Sequence, residues 1–309
     1  VAMKPLIIPK SYNYIAVFLS LSCNLKCSYC INHYGESNLP KGHLSGKDWV
    51  RGLNRIESRV DLPITLQGGE PSLHKDFIYI LNNIERSLNI DVLTNLQFDE
   101  NRFMRDIHPD RIKRNAPYAS IRVSYHPEVM DLDPLLEKTL KLLRNGYSVG
   151  IWGLAHPNNE KLNEEAKKKC SESGVDFRLK EFLGEFNGRL YGTYFYKGSI
   201  ENTFRQNVLC KTTELIIGPN GMIYRCHSDL YEDRESVGNI LDPEFEIKDI
   251  YRECNYFGHC NPCDVKLKTN RFQKFGHTSV TIKFNETDDP AKQNKNMKTR
   301  NLKTVKTVW

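Results

Sequence analysis

The chain has 309 residues, of which 39% are hydrophobic and 27% charged, and its formal net charge is +6. These values are typical of a soluble protein with one large α/β domain, or with one domain of about 200 residues and an appendage. They exclude a disordered or membrane-spanning chain: no apolar span of about 20 residues and no secretory leader is visible, so we expect a cytoplasmic protein without a membrane partner.

The positive charge is concentrated near the C-terminus. Residues 266–309 contain eleven Lys and Arg against three Asp and Glu. Such a segment could bind nucleic acid, but charge runs of this kind are more often solvated. We therefore do not expect a nucleic-acid partner, and we keep a zinc or iron–sulfur protein that binds nucleic acid as an alternative of another class.

Short β-type apolar runs alternate with amphipathic stretches between residues 14 and 184. The predicted strands are residues 14–22, 62–67, 91–95, 119–125, 148–156 and 176–183. The predicted helices lie within residues 46–60, 75–88, 100–115, 133–146 and 163–174. This alternation predicts an α/β fold with a parallel sheet, wrapped by right-handed crossovers into a partial (β/α)6 TIM-type barrel. Chemistry in such barrels gathers at the C-terminal ends of the strands.

Three cysteines follow the first predicted strand directly, in the sequence CNLKCSYC: Cys23, Cys27 and Cys30. Nine cysteines, an odd number, in a chain without a leader argue against a disulfide framework. Three thiolates can hold a metal centre and leave one coordination position open. A zinc site remains an alternative, since His33 or His43 could complete a tetrahedron.

A glycine pair and a carboxylate end the second predicted strand, in the sequence QGGEP. Gly68 and Gly69 allow close approach of the backbone to a ligand, and Glu70 places a carboxylate at the barrel mouth, where it can bind an ammonium group. Taken alone, the same residues could form a tight turn.

The two motifs together, in this order and on these elements, resemble those of the radical SAM superfamily. The match is to its CxxxCxΦC motif, with Tyr29 as the aromatic residue, and to its GGEP motif, and it covers roughly residues 14–184. The resemblance implies that Cys23, Cys27 and Cys30 ligate three irons of a 4Fe-4S cluster, with S-adenosylmethionine chelating the fourth.

The resemblance also implies how the cofactor is held. The glycine pair and Glu70 would bind the methionine ammonium, and Tyr29 would lie against the adenine through its backbone. Asn95 and Ser124, at strand ends, are candidates for further cofactor contacts, with ordinary turn chemistry as the alternative. Reduction, by a flavodoxin- or ferredoxin-type donor, would cleave the cofactor to methionine and a 5'-deoxyadenosyl radical that abstracts hydrogen from a substrate.

A second cysteine region begins after a stretch without clear periodicity. The sequence CKTTELIIGPNGMIYRC predicts a β-hairpin whose turn, at residues 219–221, brings Cys210 towards Cys226. Downstream, CNPC supplies Cys260 and Cys263, which complete a plausible set of four thiolates for iron–sulfur or zinc.

The spacing in this region resembles that of the twitch domain, the shortened relative of the SPASM domain, which implies one auxiliary 4Fe-4S cluster. The expected organisation is then a radical SAM barrel in residues 1–185, a linker in residues 186–209, a small iron–sulfur domain containing the β-hairpin in residues 210–265, and a basic extension in residues 266–309.

Two cysteines remain outside these motifs. Cys170 is expected to be an inert helix residue. Cys254 could ligate a cluster, be buried without a role, or act as a catalytic hydrogen-atom donor to a substrate radical. Polar residues at or near strand ends suggest a polar cavity and a polar substrate; they are His126, His156, Lys180 and Glu181.

An auxiliary cluster that accepts the electron of a substrate radical would give dehydrogenation, whereas a thiol that returns hydrogen would give epimerisation. Enzymes with twitch domains include some that oxidise or epimerise aminocyclitols and aminoglycosides. We therefore expect an oxidoreductase or epimerase that acts on a C–H bond of a small polar substrate resembling a carbohydrate or aminoglycoside. Modification of a ribosomally made peptide is the alternative, weakened by the short segment before Cys23.

Overall fold

A computed structural model describes residues 3–31, 42–268 and 276–284 of the chain. The strands are β1 (Leu6–Ile7), β2 (Tyr14–Ser20), β3 (Ile56–Glu57), β4 (Ile64–Gly68), β5 (Ile90–Thr94), β6 (Ile121–Ser124), β7 (Val149–Ala155), β8 (Phe177–Glu181), β9 (Gly184–Phe186), β10 (Arg189–Tyr191), β11 (Gln206–Thr212), β12 (Glu214–Ile217), β13 (Met222–Tyr224), β14 (Ser236–Asn239), β15 (Arg252–Phe257) and β16 (Val280–Lys283). The helices are α1 (Gly46–Leu53), α2 (Phe77–Asn83), α3 (Glu100–Asp106), α4 (Leu132–Arg144), α5 (Glu160–Glu172), α6 (His227–Tyr231) and α7 (Pro262–Val265).

The largest sheet has nine strands in the order β14-β13-β12-β2-β4-β5-β6-β7-β8. Its six strands from β2 to β8 are parallel and lie in chain order. They coincide with the six strands that the sequence predicts, and α1 to α5 overlap the five predicted helices. The mixed α/β fold is thereby confirmed, while closure into a partial barrel stays a prediction.

Strand β2 is buried on both faces. Alternate side chains from Ile15 to Leu19 enter the main core between the sheet and the helices. The other set, from Tyr14 to Phe18, packs in a second apolar cluster that includes Tyr231. Both faces of β2 are covered, and its two edges pair with β12 and β4, so β2 is an interior strand. The loop after it therefore starts from a rigid point at the C-terminal edge of the parallel strands.

The predicted hairpin between the second-region cysteines is present, but it extends the main sheet. Strand β12 pairs with β13 in antiparallel fashion, with Ile217 opposite Ile223. On its other side β12 pairs in parallel with β2, with Ile216 opposite Ala16. The second cysteine region is thus built onto the strand that carries the first. The division of the chain into domains stays a prediction.

A second sheet has three strands in the order β15-β11-β16. Two further pairs, β1 with β3 and β10 with β9, complete the strands. Within the described ranges, no helix has both the length and the apolar content that crossing a membrane requires. His33 and most of the basic extension lie outside the described residues.

Candidate functional site

The three cysteines of the first motif lie in the loop that follows β2. Cys27 is buried, Cys23 is exposed and Cys30 is intermediate, and the Cys30 amide donates to the Cys27 carbonyl at 3.2 Å. Burial, followed by the charges of Cys30 and Cys23, raises the pKa of the Cys27 thiol to about 12. The loop therefore brings the three thiols near one another, with one inside the protein and one at its surface.

The GGEP segment holds this loop by backbone contact. The Gly69 amide donates to the Ser20 carbonyl and the Glu70 amide to the Ser22 carbonyl, both at 2.9 Å. A Cβ on Gly69 would lie 2.2 Å from the Ser22 oxygen, and one on Gly68 would lie 1.9 Å from the Ser20 oxygen. Gly68 also has a φ of +149°, which L side chains rarely adopt. The glycines let the end of β4 touch the chain's own cysteine loop.

The Glu70 carboxylate points into the protein and is 1% exposed. Its Oε1 accepts from the Ser72 amide at 3.1 Å and from Thr94 Oγ1 at 2.7 Å, and its Oε2 accepts from the Asn95 amide at 2.7 Å. Burial raises the pKa of this carboxyl, and the hydrogen bonds from Ser72, Asn95 and Thr94 oppose that shift. The carboxylate thus fastens the end of β5 to the end of β4, and its expected role towards an ammonium group stays a prediction.

Asn95 connects the end of β5 to the cysteine loop. Its Nδ2 donates to Asn24 Oδ1 at 2.7 Å and lies 3.8 Å from the Cys23 sulfur. The sequence nominated Asn95 as a cofactor contact, and the structure places it beside a thiol of the motif. Ser124, nominated for the same reason, ends β6 and is only partly buried.

Tyr29 lies among histidines at the ends of neighbouring strands. Its ring stacks on His156 at 5.0 Å between centroids, and its hydroxyl lies 3.4 Å from His126 Nδ1 and from Asn159 Nδ2. Burial, followed by the charge of Lys180, lowers the pKa of His126 to about 4. Burial also lowers the pKa of His156. Both rings are therefore neutral near pH 7, able to donate and accept hydrogen bonds without carrying charge.

Sequence reasoning missed Glu128, which also positions the cysteine loop. Its carboxylate accepts from the Ser28 hydroxyl at 2.9 Å and from the Ser28 amide at 3.2 Å. Glu128 lies in the loop after β6, with no motif around it, so no local signal could have identified it. Glu181, which the sequence did nominate, accepts from Thr193 Oγ1 at 2.8 Å.

The second cysteine region is held together by Asp264. Its Oδ1 accepts from the His227 amide at 2.9 Å, and its Oδ2 accepts from the Ser228 amide at 3.1 Å. This links α7, which contains Cys263, to the start of α6, which Cys226 precedes. Two segments that each carry cysteines are thereby joined by one carboxylate.

Tyr231 lies between the two cysteine regions. Burial raises the pKa of its hydroxyl, and the next contributions come from the thiols of Cys263 and Cys30. Its ring packs edge-on against Phe18 of β2 at 6.0 Å. Tyr231, a member of the second apolar cluster, therefore senses thiols of both cysteine regions.

The chemistry of the donor sets fits iron–sulfur clusters, which are held by cysteine thiolates. In the described part of the chain, no three His, Cys, Asp or Glu side chains converge closely enough to hold one metal ion. Ligands of a single zinc all lie about 2.3 Å or less from it, whereas a four-iron cluster takes its thiolates on different irons. Ligation by the seven predicted cysteines stays a prediction.

Comparison with known proteins gives sequence relatives over part of the chain. GTP 3',8-cyclase of Haemophilus influenzae (strain 86-028NP) is 32% identical over 129 residues, which are 40% of this chain and 35% of that protein. Molybdenum cofactor biosynthesis protein 1 of Homo sapiens is 30% identical over 78 residues, 25% of this chain and 12% of that protein. The chain thus matches about a third or less of the length of these relatives.

Solved structures share the fold. A histidine-tagged form of anSMEcpe with bound AdoMet has a TM-score of 0.51 and 17% identity, covering 77% of this chain and 78% of that one. Streptococcus suis SuiB also has a TM-score of 0.51, with 15% identity, covering 79% of this chain and 65% of that one. At these identities the likeness concerns the fold alone.

A family model described as the radical SAM superfamily matches residues 17–171, half of the chain. This range runs from β2 to α5 and contains both the three-cysteine loop and the GGEP segment. The chain therefore belongs to the radical SAM superfamily.

Proposed function

We propose that this chain is an enzyme that binds a 4Fe-4S cluster through Cys23, Cys27 and Cys30 and uses S-adenosylmethionine to start radical chemistry on a substrate C–H bond. The observation that carries the proposal is the three-thiol loop held by direct backbone contact on Gly68–Glu70 at the C-terminal edge of the parallel strands. When bound and reduced there, the cluster would supply the electron that cleaves S-adenosylmethionine, giving the radical that takes hydrogen from the substrate.

The protein's own residues hold the thiols in place. Buried Cys27 anchors the loop, and because burial raises the pKa of its thiol, a bound metal would favour the thiolate form. Asn95 Nδ2 lies beside the Cys23 sulfur, where it can donate a hydrogen bond to a thiolate. The Glu70 carboxylate accepts three hydrogen bonds in the structure and has capacity for about one more.

For the substrate, we propose a small polar molecule next to the Tyr29, His126 and His156 cluster. Two neutral imidazoles and a phenol can recognise hydroxyl and amino groups without strong charge selection. Dehydrogenation and epimerisation of the substrate are both compatible with this group of one tyrosine and two histidines. Comparison with known proteins adds no support for a carbohydrate substrate, and modification of a peptide is not better supported.

A nucleotide substrate is the second candidate, because relatives named GTP 3',8-cyclase are about a third identical to this chain over their matching residues. The reaction would then be a cyclisation that starts with the same hydrogen abstraction. A substrate screen in S-adenosylmethionine cleavage assays, with nucleotides, aminoglycosides and peptides as the three arms, would distinguish the candidates.

The function is tested by anaerobic reconstitution of the chain with iron and sulfide, followed by dithionite and S-adenosylmethionine. We expect methionine and 5'-deoxyadenosine to form. Cys27→Ala should abolish both products. Cys170→Ala is the control, since Cys170 is also a buried thiol but lies on α5, outside both cysteine motifs, and it should retain activity. Absence of 5'-deoxyadenosine from a reconstituted chain that contains iron would overturn the proposal.

A further inference from the structure

The register of the three-stranded sheet places two cysteines of the C-terminal region on one face. In the antiparallel pair of β11 and β15, Val208 lies opposite Cys254 and Cys210 lies opposite Arg252. Opposite residues share a face and residues two apart along a strand share it too, so Cys210 and Cys254 are diagonal neighbours. The Cα atoms of diagonal neighbours are about 7–8 Å apart. Both thiols can therefore reach one four-iron cluster.

Four of the five cysteines in this region pack against one apolar cluster. Its buried members are Val208, Phe257, Val265, Val280 and Ile282. Four cysteines of the described chain pack against it, and Cys263 is not among them. They are Cys210, Cys226, Cys254 and Cys260.

Cys263 has different surroundings. Its amide donates to Asn261 Oδ1 at 2.9 Å within the CNPC turn. It lies on α7, next to Asp264, which accepts from the His227 and Ser228 amides, and not on the β11–β15 strand pair.

We propose that Cys254, and not Cys263, is the fourth ligand of the auxiliary iron–sulfur centre, together with Cys210, Cys226 and Cys260. This inference rests on the proposed function, since it takes the chain to be an iron–sulfur enzyme. It also bears on the reaction. A thiolate bound to iron carries no S–H hydrogen, so Cys254 is not the hydrogen donor that epimerisation needs.

The test counts iron in chains that lack the first cluster. A variant with Cys23, Cys27 and Cys30 all replaced by Ala is reconstituted, and its iron, sulfide and Mössbauer spectrum are measured. We expect about four iron ions per chain. Adding Cys254→Ala should remove most of this iron or convert the cluster to a form with fewer irons, whereas adding Cys263→Ala should leave iron and spectrum unchanged. Circular dichroism and gel filtration check that each variant is folded.

A loss of iron from the Cys263→Ala chain, with or without a loss from the Cys254→Ala chain, would overturn the inference. Zinc in place of iron, or no metal in the triple variant, would overturn it together with the auxiliary cluster. A different outcome is that the unmodified chain fails to cleave S-adenosylmethionine while the triple variant still holds about four irons. That result would count against the proposed function and leave the ligand assignment standing.

A second measurement needs no substitution. The unmodified chain is alkylated before and after a chelator removes its iron, and the cysteines are mapped by mass spectrometry. Cys254 should react at least about tenfold faster once the cluster is gone, and Cys263 should react at the same rate in both states. Equal rates for Cys254, or protection of Cys263 by the cluster, would contradict the assignment.

Discussion

At the scale of single residues, the glycine pair and the buried polar side chains determine the geometry of the site. Gly69 leaves no room for a side chain against Ser22, and Glu70 and Asn95 join the ends of β4 and β5. His126 is held neutral by burial beside Tyr29. These contacts position the cysteine loop.

Replacing Gly69 by Ala should destabilise the fold and displace the cysteine loop, because the new Cβ meets backbone atoms of Ser22 that have no side-chain freedom to yield. We expect the free energy of unfolding to fall by about 2 kcal/mol or more. Gly174→Ala is the control: its Cβ meets nothing within 4 Å, so only the strain of its φ of +73° remains, about 1 kcal/mol. Equal losses in urea unfolding would contradict the close-contact argument.

His126 should make stability depend on pH. Its pKa in the folded chain is about 4, below the ordinary 6.5, so the unfolded chain binds more protons between these values. Stability should therefore be fully present above about pH 6.5 and fall as the pH drops towards 4, with a contribution on the order of 1–3 kcal/mol. His126→Gln should flatten the urea-unfolding profile in this range, and the exposed His108→Gln should leave it unchanged. A profile with the same slope in all three chains would count against the argument.

At the scale of elements, loops and short helices after the strands contain cysteines of both regions, and long-range hydrogen bonds hold these segments. Strand β2 leads into the first cysteine loop, and β13 leads into Cys226 at the start of α6. Strand β12 pairs with both β2 and β13, so β2 and β13 are separated by one strand in the sheet. The spacing between the two cysteine regions thus depends on strand pairing.

Asp264→Asn should loosen the contact between α6 and α7. The amide keeps the size of the carboxylate but gives up the charge that accepts from the His227 and Ser228 amides. We expect a loss of about 2 kcal/mol in the free energy of unfolding of the chain without metal. Asp61→Asn, at an exposed ion pair with Arg59, is the control and should cost less than about 1 kcal/mol. Thermal and urea unfolding measure both variants. Comparable losses of stability in Asp264→Asn and Asp61→Asn would show that the contact between Asp264 and α6 is unimportant.

At the scale of the whole molecule, distant segments close around the parallel strands. The Arg55 guanidinium is buried and donates to the carbonyls of Lys4 at 2.8 Å, Ile240 at 3.2 Å and Phe245 at 2.9 Å. One side chain after α1 thus joins the start of the described chain to the segment after β14. This contact fixes the segment after β14 against the start of the described chain and the residues that follow α1.

Arg55→Lys should weaken this closure, because one ammonium group cannot reach the carbonyls that the planar guanidinium spans. We expect a loss of about 2 kcal/mol or more in the free energy of unfolding. Arg51→Lys, where the arginine is exposed and pairs with Asp48, is the control and should change stability by less than about 1 kcal/mol. Hydrogen exchange should locate the effect of Arg55→Lys in residues 240–245. Equal protection of these amides in the Arg55→Lys and Arg51→Lys chains would contradict this.

The sequence by itself determined the alternation of strands and helices, the hairpin around residues 219–221 and the position of three thiols after the first strand of the parallel core. These features depend on side-chain periodicity, turn residues and spacing, all within about 20 residues of chain. Only the tertiary structure decided that the hairpin joins β2, that Glu70 points inward to Asn95, and that Cys254 packs on one apolar cluster with Cys210, Cys226 and Cys260. The physical reason is that these contacts join residues far apart in the sequence, and the strand pairing that brings them together leaves no local pattern.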